Sequence, residues 1–156
     1  MEPRGEKADI QVEVTIACAG VPVDPAPLET LAESVCLRFG AKAVSVSIAI
    51  VDDGAIQQVN EQFLGEPHTT DVISFDLSEA GAASFELVVN MDEAVRQSRL
   101  RNHSPAAELA LYVTHGLLHH LGFDDARPED AERMHAAENA ILEEAGYGKV
   151  YGEGPA

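Results

Sequence analysis

The stretch "SPAAELALYVTHGLLHHLGFDD", Ser104 to Asp125, decides how the rest of the chain is read. A serine before a proline is a strong helix start: the hydroxyl caps free N–H groups, and proline suits the first helical position. The helix expected from it runs from Pro105 to Leu121, with Leu117, Leu118 and Leu121 packing it into the core. His115 and His119 are four residues apart and so share one helix face, close enough to hold a single metal ion. Gly122 lets the chain leave the helix and double back, so that Asp125 can close a three-donor site. Two histidines on a mostly apolar helix cost desolvation unless they find partners. A metal is one such partner; hydrogen bonds to a pair of core histidines are the other reading.

The spacing H-x-x-x-H-x-x-G-x-x-D is close to the metzincin type of zinc motif, whose last ligand is usually histidine. In metalloproteases the first histidine is followed by a catalytic glutamate, and here that position is Gly116. Asp124 can replace Asp125 as ligand or sit behind the site and orient a histidine; the spacing favours Asp125. His120, next to a ligand, points roughly 100° away around the helix and is expected to be a non-ligand. His135, in "ERMHAAEN", reads as a surface histidine.

Outward from this helix, "DIQVEVTIAC" alternates polar and apolar residues and predicts a strand near residues 9–18. A helix is expected from Pro27 to Phe39, then a β-rich run "AVSVSIAIV" ending before Asp52. "DDGAIQQVNEQFLG" spaces Ile56, Val59 and Phe63 helically behind an aspartate-rich start. "TTDVISFDL" and "SFELVVN" are two further strands, followed by helices over Met91–Asn102 and, after the histidine helix, Pro128–Ala145. Strands and helices mixed without strict βαβ alternation predict an α+β single domain. It has a four-stranded mixed sheet, about five packed helices, and the metal site on a central helix. The domain is expected over residues 9–147, with residues 1–8 and 148–156 as flexible ends.

The 156 residues are enough for one domain that buries about two-thirds of its unfolded surface. Their 46% hydrophobic and 24% charged content disfavours disorder despite a net charge of −17. No apolar run approaches the roughly twenty residues that span a bilayer, and the polar N-terminus has no export signal. A cytoplasmic protein with reduced Cys18 and Cys36 is therefore expected. The negative charge argues against non-specific coating of nucleic acid, which rests on neutralised phosphates. A local basic patch remains open: Arg96, Arg99 and Arg101, with His103 beyond, are the densest positive cluster, and on a helix Arg96 and Arg99 share a face. The plainer reading of these arginines is a solvated helix surface.

At these residues the sequence resembles the YbeY family, bacterial rRNA maturation factors described as zinc-dependent, single-strand-specific endoribonucleases. The family motif H-G-x-L-H-L-x-G-Y-D-H stands here as His115-Gly116-Leu117-Leu118-His119-His120-Leu121-Gly122-Phe123-Asp124-Asp125. "TTDVISF", residues 69–75, is similar to the family's T-D-V-L-S-F strand, "VNEQFLG" to its L-N-x-x-Y/F-R-G, and the last helix to its acidic final helix. Two positions depart: the third histidine is Asp125, and the arginine that would hold a phosphate is Leu64.

The resemblance implies one Zn²⁺ per chain on His115, His119 and Asp125. It implies a cleft lined by Asn60, Thr70, Asp71 and Ser74, whose other reading is capping and strand-edge hydrogen bonding. The catalytic group stays open, with Asp124, Arg99 and His68 as candidates; Arg96 or Arg101 can also stand in for the missing arginine. The implied partners are single-stranded RNA, rRNA and the small ribosomal subunit, not DNA or a membrane. The alternatives are a non-catalytic ribosome-associated factor with a structural metal, and a metal hydrolase of peptides or small esters.

Overall fold

The computed structural model describes residues 8–20 and 22–148, so the loose ends expected at 1–8 and 148–156 lie almost wholly outside the described residues. Four strands, β1 (Asp9–Ile16), β2 (Ala43–Val51), β3 (Val72–Asp76) and β4 (Ala83–Asn90), form one sheet in the order β1-β2-β4-β3. β1 and β4 both run parallel to β2, while β3 is antiparallel to β4 and forms an edge. The sheet is mixed, as expected, and five helices complete the α+β domain: α1 (Pro25–Arg38), α2 (Asp53–Leu64), α3 (Met91–Arg101), α4 (Pro105–His120) and α5 (Pro128–Glu144).

The period of two in β2 divides the apolar residues between two faces. Val44, Val46, Ile48 and Ile50 join Phe85, Leu87 and Val89 of β4 in the main core, beneath α1 and α4. Val51, with Val88 and Ile73, meets Ile56 of α2 in a smaller cluster on the opposite face. α4 is the central helix: its buried residues run unbroken from Ala107 to Thr114, then Gly116 to Leu118. Gly116 permits this closeness. A Cβ there would lie 3.0 Å from Leu87 Cδ2 and 3.4 Å from Val72 Cγ2, so with any side chain here either Leu87 or α4 would have to give way.

Local chemistry fixes the helix ends. Ser104 accepts a hydrogen bond from Ala107 N, as its pairing with Pro105 predicts. α1 starts at Pro25, two residues earlier than expected, because Asp24 rather than a later residue caps it. β3 begins at Val72 rather than Thr69, because side chains claim the backbone just before it. Asn90 Nδ2 donates to Thr70 O (3.1 Å), and Asp71 Oδ1 accepts from Val72 N (2.7 Å).

Asn90 is fully buried and also caps α3 by accepting from Asp92 N and Glu93 N, while its amide donates to Asp53 of α2 at 2.8 Å. One side chain thus ties two helices to the 69–71 segment that walls the site. Cys18 and Cys36 are both free thiols, and burial pushes the Cys36 thiol up to about 11. No helix among the described residues is long and apolar enough to cross a membrane.

Candidate metal centre

His115 and His119 project from the end of α4 with their Nε2 atoms 3.2 Å apart and their rings edge to face. α4 stops at His120, and Gly122, at φ +103, turns the chain back so that Asp125 reaches the same point. Asp125 Oδ2 lies 3.9 Å from His115 Nε2 and 4.0 Å from His119 Nε2. Ligands around Zn²⁺ at about 2.1 Å stand about 3.4 Å apart along the edges of a tetrahedron. The imidazole pair is already near that separation, and the half-exposed carboxylate needs to close by about half an ångström. The three donors all lie within 4.8 Å of one another, so the residues present fit a metal ion.

The second nitrogen of His115 explains which end of the ring faces this point. Glu138, on α5, is fully buried, and its Oε2 accepts from His115 Nδ1 at 2.5 Å. That bond fixes the tautomer with Nε2 free to bind. Glu138 Oε1 has no hydrogen-bond partner among the described residues, so the carboxylate is committed to this histidine. Burial disfavours protonated His115, but the bond to Glu138 and the charges of Glu138, Asp71 and Asp125 outweigh it and raise its pKa. A cation arriving here competes with a proton for the same nitrogen.

The donors sit between two clefts that share Asp71 and His115. The larger, of about 430 Å³, is lined by Asn60, Leu64, His68, Thr70, Ser74 and His119, among others. The smaller, of about 240 Å³, holds Gln97, Arg101, Tyr112, Asp125 and His135. All four residues expected in the cleft, Asn60, Thr70, Asp71 and Ser74, line the larger one, and three of them also make local bonds. Asn60 is buried and donates to His68 O at 2.8 Å, bracing the loop; Thr70 and Val72 N both bond Asp71.

The other candidates separate. His68 faces the larger cleft with its Nε2 3.1 Å from Glu66 Oε2. Asp124 turns its carboxylate to the backbone, accepting from Asp125 N and Ala126 N, which holds the turn that presents Asp125. Arg99 is exposed and lines neither cleft. Arg96 lies across Asp53, both guanidinium nitrogens at 2.8 Å, with Glu93 beside it. His120 stacks on Phe85 at 4.8 Å, outside the donor set as its position on the helix requires. His135 is half-buried and faces the smaller cleft, beside the donors rather than on an outer surface.

Glu138 escaped the sequence reading. A signal was present: Met134, Glu138, Ile141 and Leu142 fall on one helical stripe, and a carboxylate amid that apolar face needs a buried partner.

A mixed sheet with two histidines of a central helix and a turn carboxylate converging at one edge defines an α+β protein with a candidate metal centre. The chain belongs to the Endoribonuclease YbeY family, whose model matches residues 22–146. It is 39% identical over 110 residues to an Endoribonuclease YbeY of Anaeromyxobacter sp. (strain Fw109-5), covering 69% of this chain and 57% of that one. Against the Bacillus licheniformis Endoribonuclease YbeY the identity is 31% over 149 residues, covering 86% and 94%. The chain thus spans little more than half the length of the first of these relatives. A solution structure of a Thermotoga maritima protein superposes with a TM-score of 0.57 at 26% identity, covering 85% of this chain and 91% of that one.

Proposed function

We propose that this chain is a metal-dependent endoribonuclease that cleaves single-stranded RNA during rRNA processing, working in the cytoplasm on the small ribosomal subunit. His115, His119 and Asp125 hold one Zn²⁺ per chain within a domain spanning residues 9–147. The observation that carries this reading is the convergence of two imidazole Nε2 atoms and one carboxylate at the meeting of two open clefts. A structural zinc site is normally closed by a fourth protein ligand, whereas among the described residues this donor set has three members and is partly open to solvent.

A zinc ion held by His115, His119 and Asp125 would supply Lewis-acid chemistry, polarising a phosphoryl oxygen and lowering the pKa of water. The protein's own part is positioning. Glu138 fixes the His115 tautomer, Asp124 presents Asp125, and Asn60 and Asn90 hold the walls. Gly116 stands where the protease mechanism has its glutamate, and a side chain here would crowd Leu87. A single strand suits these clefts better than an A-form duplex, which offers little for side chains to read.

Among the described residues the larger cleft is lined by no arginine or lysine, and this favours a second reading: a ribosome-associated factor whose metal is structural. Metal analysis of protein purified without chelator, paired with a cleavage assay on single-stranded and duplex RNA, separates the two. The nuclease reading expects about one zinc per chain and chelator-sensitive cleavage confined to single strands, lost in His115→Ala. Stoichiometric zinc without cleavage favours the structural metal.

A further inference from the structure

We propose that Arg101 binds a phosphate of the RNA strand beside the metal centre, in the smaller cleft and on the opposite side from Leu64; this rests on the nuclease reading above. Among the described residues lining the two clefts, Arg101 is the only arginine or lysine. The surrounding groups are largely acidic: Glu66 and Asp71 in one cleft, Asp71, Glu93 and Asp125 in the other. A polyanion crossing this surface needs a cation besides the metal, and its position sets where the strand can lie.

The rest of α3 narrows the choice to this residue. Arg96 pairs with Asp53 and Glu93, and Arg99 is exposed and lines neither cleft. Arg101 is the last residue of α3, where Asn102 takes the left-handed conformation and turns the chain towards α4. Its Nη1 lies 3.5 Å from Oε2 of Glu108, a carboxylate with no exposure at all, while 36% of the arginine side chain remains open. Glu108 also takes His103. One edge of the guanidinium is therefore anchored from below by a buried charge, which sets the orientation of the part exposed at the cleft. Pre-set orientation is what a phosphate site requires, because the side chain need not be ordered on binding.

A phosphate held here lies on the side of the metal occupied by Gln97, Tyr112 and His135. The strand then runs across the donors from the larger cleft into the smaller one. The side formed by Asn60, Leu64 and Ser74, which has no fixed cation, receives the less charged part of the substrate, sugar or base.

The test is fluorescence anisotropy with a single-stranded RNA oligomer, whose intact length is checked on a gel after each titration. It is run over a range of salt on zinc-loaded and chelator-treated protein. Arg101→Gln keeps amide donors for Glu108; it should weaken binding roughly tenfold and reduce the log–log salt slope by about 0.7, the value of one phosphate contact on a single strand. Arg101→Lys, which keeps the charge and the pairing with Glu108, should hold the slope while losing several-fold in affinity. Arg133→Gln, an equal charge change on α5 where Arg133 pairs with Asp130, should alter neither.

Equal losses in Arg101→Gln and Arg133→Gln would assign the effect to bulk charge and overturn the proposal. So would wild-type affinity in both Arg101 variants. Should Arg101→Gln lower the melting temperature, Arg101→Lys decides through its affinity at unchanged slope. A wild-type protein that neither binds nor cleaves single-stranded RNA overturns the nuclease reading itself, whereas binding and cleavage insensitive to Arg101 overturn only this assignment.

Discussion

Glu138 Oε2 stands 2.5 Å from His115 Nδ1, with the whole carboxylate closed off from solvent. A residue on α5 thereby sets the protonation pattern of a donor on α4. Glu138→Gln preserves shape but can present an amide N–H where a carboxylate is needed, so metal affinity should fall about 10–100-fold. Glu138→Ala should lose at least as much. Competition with a chromogenic chelator measures both, and unchanged affinity in the pair would remove Glu138 from the site.

The two aspartates of the turn have different duties and should fail differently. Asp125→Ala removes a donor and should cost more metal affinity than Asp124→Ala, which only loosens the turn. Asp125→His should keep the metal, since an imidazole at this position restores the family motif. Full occupancy in Asp125→Ala, with loss in Asp124→Ala, would exchange their roles.

Leu64 is 55% exposed and lines the larger cleft, so a cation placed there reaches the substrate side of the donors. Leu64→Arg should raise cleavage of single-stranded RNA roughly tenfold or more, towards the 10²–10³ associated with a phosphoryl clamp. Gln58→Arg is the charge control; Gln57 is unsuitable because its amide donates to Pro67 O and braces the loop. Comparable gains from both would mean long-range steering.

Gly116→Ala should destabilise by about 1 kcal/mol, since overpacking against Leu87 exceeds the gain in helix propensity. Metal affinity should fall with it where α4 rather than Leu87 gives way, because a shift of α4 carries His115 with it. Thermal melts with and without zinc read both effects. A melting temperature at or above wild type would show that Leu87 gives way freely.

Asp53 supplies a pH dependence remote from the donors. The side-chain bonds from Arg96, helped by Asn90 and opposed by some burial, lower its pKa from 3.8 to about 2. Because the folded value is depressed, the stabilisation is complete above about pH 4 and is lost as pH falls towards 2. With 36% of the side chain exposed, screening reduces it to about 1 kcal/mol. Urea unfolding of wild type and Asp53→Asn should differ by that amount at pH 7 and converge near pH 2; a constant difference would deny the linkage.

The elements were legible because their patterns are local. Strong caps and the two-residue period of "AVSVSIAIV" determine most boundaries, and the i, i+4, i+10 donor spacing lies within one helix and its turn. What sequence left open depends on contacts between distant segments. Glu138 sits thirteen residues beyond Asp125 in a helix rich in acidic residues, and its partner is visible only once α5 packs on α4. Arg101 and Arg99 look alike in "RQSRLRN"; the packing of α3 against α4 is what places one over a cleft and leaves the other outside. The start of β3 moved because Asn90, twenty residues on, claims the carbonyl of Thr70.

The donors belong to two mechanical classes. His115 and His119 ride on α4, locked by its long buried run, whereas Asp125 hangs from a turn that starts at Gly122 and keeps 45% of its side chain in solvent. All three donors contribute to affinity, but the path of release belongs to the turn. The helix presents a fixed pair of nitrogens, and the turn that carries the third donor acts as a hinged latch through which the ion leaves. Stiffening residues 122–126 should lengthen the lifetime of the bound ion far more than it changes the equilibrium.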